Sequence, residues 1–180
     1  MPVDVDHNLP RTQIGHVVRP LIYPHQFFDL YRQEWTDRTV NASFTGRGGP
    51  TRRETLSRWQ RRNGKAAVVW SDVGKKWPGK AWDPPYVATL AATRFALCPV
   101  SYFSDNVFWL YRFFDACAAG ALPVVDQVFP LYEGFVYGLM SSPVDSLEWS
   151  EEAADANFRR VRDLLTVPHD EIRDAVNGGI

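Results

Sequence analysis

Two short segments hold residue types suited to binding an anion. In VNASFTGRGGPTR (40–52) an alternating run ends at Gly46, and Arg47, Arg52 and the adjoining Arg53 follow. Glycine frees backbone amides, and amides at a helix N-terminus beside an arginine suit a phosphate. In YRFFDACAAGALPVV (111–125) Arg112 and Asp115 stand three residues apart inside an aromatic run. On a helix that spacing puts both on one face. Arginine offers a two-pronged donor to a diphosphate, and a carboxylate accepts the two hydroxyls of a ribose. The plain alternative is a surface ion pair of little energy. Ala116, Ala118, Ala119 and Gly120 let such a helix pack closely on a sheet.

Other chemistries lack their residues. The chain has no GxGxxG followed by an acid, no GxxxxGK[ST] and no GxSxG. His7, His16, His25 and His169 are scattered, so no metal site is expected. Cys98 and Cys117 lie in apolar company without CxxC spacing and read as reduced core thiols.

Net charge is −1 over 180 residues, so no global field attracts nucleic acid or membrane. Locally the balance is different. Between Arg47 and Lys80 ten basic residues face two acids, Glu54 and Asp72. That asymmetry favours a phosphate-bearing ligand, or describes a solvated helix face. Arg53, Arg61, Arg62, Lys75 and Lys76 are its candidate contacts to a polyanion. Trp59, Trp70, Trp77 and Trp82 offer stacking surfaces, although Trp59 and Trp70 also fit a core.

These residues need a frame. Residues 1–13 are polar and aperiodic and are expected as an irregular arm, with one domain over 14–180. IGHVVRPLIYP suggests an edge strand or an extended segment. VNASFTG reads as a strand, and Pro50 to Asn63-Gly64 as a helix. AAVVW, RFALCPV and ALPVVD read as buried strands, and FVYGLM as a further one. PYVATLAAT and VFWLYRFFDACAAG read as helices, and Ala154, Phe158, Val161 and Leu165 mark a long amphipathic one. A last short helix is expected over VPHDEIRDAV. Alternating strands and helices predict an α/β fold, a single Rossmann-like domain with a mainly parallel sheet flanked by helices. Ligands of such sheets bind beyond the strands' carboxyl ends. Loops 46–50, 71–83, 99–106 and 126–134 would share that rim. No apolar run is long enough to span a bilayer and the N-terminal residues show no basic-then-apolar leader pattern, so a cytoplasmic protein, or a mature fragment, is expected.

The pattern TRFALCPV…LYRFFDACAAGALPVV resembles the exostosin-like glycosyltransferases of the GT-B type. In that family a strand ending in Cys-Pro leads to a helix with an Arg-Phe-x-Glu-Ala core and a Gly-x-x-Pro-Val strand. HVVRPLIYP and VNASFTGRGGPTR resemble the family's upstream segments, and LEWSEEA and VRDLLTVPHDEIRDAV its closing helices. The likeness covers residues 16 to 176 and is most specific over 94 to 125. It implies the donor-binding half of a GT-B fold, whose ligand is a nucleotide sugar such as a UDP-sugar, with no metal required.

By that resemblance Gly46, Arg47, Arg52 and Arg112 would face the diphosphate. Asp115 would take the place of a ribose-binding Glu. Cys98, Pro99 and the following loop with Ser104 would lie near the base. Val100-Ser101 replaces the family's Arg-Gly, and the acceptor-binding amino-terminal half has no counterpart here. By rim placement Asp72 and Asp105 are the candidate bases, and a retaining reaction needs none. The implied activity is sugar transfer from a nucleotide diphosphate donor to an unidentified acceptor: a glycan, a protein or, as the basic segment 47–80 would allow, a modified DNA base. A partner subunit or a second copy would supply the missing half. The alternatives are a non-catalytic nucleotide- or nucleotide-sugar-binding module or subunit, and a nucleic-acid-binding domain using segment 47–80.

Overall fold

The computed structural model describes residues 12–14, 17–19, 38–46, 48–64, 69–71, 84–100 and 111–165, with 173 and 177. Strands β1 (Thr12–Ile14) and β2 (Val17–Arg19) pair antiparallel in a two-stranded ribbon. Thr12 and Gln13, expected in the arm, therefore belong to a strand.

The main sheet contains β3 (Val40–Thr45), β4 (Val69–Ser71), β5 (Thr93–Cys98), β6 (Leu122–Val125) and β7 (Gly138–Leu139), in the order β4-β3-β5-β6-β7. Every neighbouring pair is parallel. The chain leaves β3 towards one edge to form β4, then returns to the other side of β3 to form β5. The switch point therefore lies between β3 and β5, where a doubly wound sheet opens its ligand crevice. The chain is an α/β protein with a Rossmann-like sheet flanked by helices.

Alternation along the strands explains the two layers. Phe44, Phe95, Leu97, Leu122 and Val124 point to one face, where they bury Leu56 and Trp59 of helix α1 (Pro50–Asn63). Trp59 is thus a core residue. Ala96, Cys98 and Val125 point to the other face. There they meet α2 (Pro84–Ala91), α3 (Tyr111–Ala118) and α4 (Glu151–Leu165). Small residues at Ala116, Ala118 and Ala119, all fully buried, bring α3 close to the sheet. Phe113 stacks on Tyr132 with centroids 3.7 Å apart, and Phe114 and Phe135 close the cluster edge-on.

Gly120, at φ 72°, ends α3. Its N–H donates to the Cys117 carbonyl at 3.1 Å, and Ala121 N–H donates to the Ala116 carbonyl at 2.9 Å. This paired closure turns the chain directly into β6. No helix among the described residues is long and apolar enough to cross a membrane.

Candidate functional site

The carboxyl ends of β3 and β5 carry the most concentrated chemistry among the described residues. Arg112, from the first turn of α3, reaches across to β3. Its Nε donates to the Thr45 carbonyl at 2.9 Å, and its guanidinium lies 4.7 Å from the Phe44 ring centroid. The bond fixes the plane of the fork, and the ring supports it from one side. Gly46 makes room: its φ is 139°, and a Cβ there would collide with Nη2 of Arg112.

Arg52 approaches from the first turn of α1. Its Nε donates to the Pro99 carbonyl at 3.3 Å. Burial, and then the neighbouring charge of Arg112, push its pKa down to about 10. The fold therefore holds two like charges near each other at the switch point. Gly49 starts α1 without a side-chain cap, and no acidic residue occupies the first turn. The positive end of that helix dipole thus lies beside the arginines.

Cys98 ends β5 fully buried. Desolvation pushes its thiol up to about 12, against the opposing field of Arg112. It is a neutral packing group at physiological pH, neither nucleophile nor base. Cys117 is likewise buried and raised well above its ordinary value, chiefly by desolvation. Neither cysteine is in a disulfide.

Asp115 and Arg112 diverge and form no ion pair. Asp115 is only 8% exposed, and its Oδ2 accepts from the Tyr86 hydroxyl of α2 at 2.7 Å. The carboxylate is thus held between α2 and α3, beside the cluster. Asp126, the first residue after β6, was not among the expected site residues. Its Oδ1 accepts from Val100 N–H at 3.0 Å. The signal for it was its place directly after a buried strand, at the head of a rim loop.

No protein-family model matches the chain, and no curated protein matches it either.

Several of the described basic residues of segment 47–80 also hold the fold. Arg62 donates to the Met140 and Ser141 carbonyls at 3.0 and 2.7 Å, and Arg53 to the Gly48 carbonyl at 2.6 Å. Arg58 meets Glu54 at 3.9 Å on the exposed side. Arg61 is exposed. Arg47, Asp72, Lys75, Lys76, Ser104 and Asp105 lie outside the described residues, as do Trp77 and Trp82. Of the expected phosphate ligands the structure brings Gly46, Arg52 and Arg112 together, with Cys98 and Pro99 beneath them.

Proposed function

We propose that this domain binds the diphosphate of a nucleotide sugar at the switch point and is the donor half of a glycosyltransferase. One observation carries the reading. Arg52 and Arg112 come from different helices and are anchored on the carbonyls of Pro99 and Thr45, at the carboxyl ends of the neighbouring strands β5 and β3. Holding like charges together opposes folding, and a bound dianion would relieve it. Backbone carbonyls take the Nε atoms of both side chains. The terminal nitrogens of the Arg112 fork then suit phosphate oxygens, with the charge of Arg52 close by.

In transfer, the sugar leaves a nucleoside diphosphate on which negative charge develops. Positioned guanidinium groups stabilise that charge without a metal. Here α1 contributes Arg52 and the Arg-bearing helix of the exostosin-like pattern contributes Arg112, while the carbonyl of Pro99, after the strand ending in Cys-Pro, anchors Arg52.

The test begins with calorimetric titration of UDP, GDP, ADP and TDP and their sugar conjugates. One of them is expected to bind, and Arg112→Ala and Arg52→Ala should each weaken it roughly ten- to a hundredfold. Full affinity in both variants would remove the arginines from the site. Release of nucleoside diphosphate from the bound conjugate, with glycan, protein or oligonucleotide acceptors present, separates transfer from binding alone.

A further inference from the structure

The Pro99–Val100 peptide is held at both of its polar groups. Its carbonyl accepts from Nε of Arg52 at 3.3 Å, and its N–H donates to Oδ1 of Asp126 at 3.0 Å. No described peptide bond is cis, so the carbonyl and the N–H point in opposite directions. Arg52 and Asp126 therefore stand on opposite sides of one planar unit. The sheet register fixes this arrangement: Cys98 pairs with Val125, which places Asp126 across from Pro99 and Val100.

The carboxylate is only half-buried. Among the described residues nothing meets its second oxygen, Oδ2, which retains its full accepting capacity. A single carboxylate across one peptide unit from the Arg52 guanidinium, and within reach of its charge, has a definite effect on ligand choice. It repels any additional phosphate and attracts a neutral group that donates hydrogen bonds. Sugar hydroxyls have that chemistry.

The geometry points to Asp126 as a specificity-determining residue: it accepts a hydroxyl of the uncharged sugar joined to the bound diphosphate, and disfavours a third phosphate there. This rests on the nucleotide-sugar reading above. Its Oδ1 holds the backbone segment that anchors Arg52, while its Oδ2 reads the ligand.

Asp126→Asn retains an oxygen for Val100 N–H while removing the charge, and Asp126→Ser is measured beside it in case the amide does not fold. The ligands are the nucleoside diphosphate that wild type binds best, its glucose conjugate and its triphosphate. Calorimetry is expected to show a split in the folded variants. Affinity for the conjugate falls about tenfold, affinity for the diphosphate stays within about twofold, and the triphosphate binds more tightly. Equal losses for all three ligands would reduce Asp126 to a structural anchor. No change for any of them would remove it from the site. Both results overturn the proposal and leave the nucleotide reading standing. Wild type that binds none of the ligands overturns that reading, and this proposal with it.

Discussion

At Gly46 the backbone and a guanidinium compete for the same space. Its φ of 139° is strained for any residue with a side chain, and a Cβ there would strike Nη2 of Arg112. Gly46→Ala is therefore expected to act twice. It costs about 1–2 kcal/mol of stability through the backbone, and it displaces Arg112 from the Thr45 carbonyl. Nucleoside diphosphate affinity should fall about tenfold, a loss of the size expected for a charge-assisted contact. Thermal melts and titrations on the same samples separate the two effects. A lowered melt with intact affinity would mean that Arg112 keeps its position without the glycine. The sequence makes Gly46 legible as a turn, because it follows an alternating strand. The steric reason for it comes from a residue 66 positions away (46 to 112), which no local pattern reveals.

Among the elements, α4 has the least obvious task. Its apolar stripe of Ala154, Phe158, Val161 and Leu165 docks it against the core, and this was plain from helical spacing. Asn157 lies on the same stripe and is 1% exposed. Its side-chain amide pairs with both backbone groups of Val136, donating to the carbonyl at 2.7 Å and accepting from the N–H at 2.8 Å. One turn on, Arg160 donates to the Glu133 carbonyl at 2.6 Å and lies 5.2 Å from the Phe135 ring centroid. The helix thus holds the loop that leaves β6 and leads to β7, and with it the rim beyond Asp126. Asn157→Leu takes the side-chain partner from both backbone groups of Val136 at a half-buried contact, and should cost about 1–3 kcal/mol. Asn157→Asp keeps only the acceptor and should fall between the leucine variant and wild type. Urea unfolding of the three proteins checks the order, and a leucine variant as stable as wild type would show that the pairing does not hold the loop. Strand and helix periods made β3, α1, β5, α3 and β6 legible because each repeats its pattern over several residues. Asn157 offered only a weak sign, one polar residue on an apolar stripe. Its partner is a backbone, and backbones carry no sequence signature.

Across the whole molecule, the two ends of the sheet are arranged differently. The carboxyl ends of β3 and β5 carry the paired arginines and the glycine loop. The opposite end is closed by Arg38, which is 6% exposed. Its guanidinium donates to the carbonyls of Leu90, Thr93 and Ala119, and lies 5.4 Å from the Trp149 ring centroid. Leu90 and Ala119 belong to the carboxyl-terminal ends of α2 and α3, and Thr93 begins β5. One buried cation therefore neutralises the negative ends of two helix dipoles and ties them to the central strand. Burial pushes its pKa down to about 10, which still leaves it charged at neutral pH. Nothing in the polar stretch before β3 marks Arg38 in sequence, since its partners lie 52 to 81 residues away. Arg38→Met fills part of the volume but leaves several carbonyls buried without their donor, and should destabilise the protein by about 3–5 kcal/mol. Arg38→Lys carries the charge on a single ammonium, which cannot copy the planar fork, and should lose roughly half as much. Because Arg38 lies at the far end of the sheet from Arg52 and Arg112, nucleotide affinity of the folded variants should stay within about twofold of wild type, as for independent sites. Denaturant melts paired with titrations test both halves of this separation. A lysine or methionine variant that is fully folded yet binds poorly would mean that the two ends of the sheet are coupled through β5 and α3.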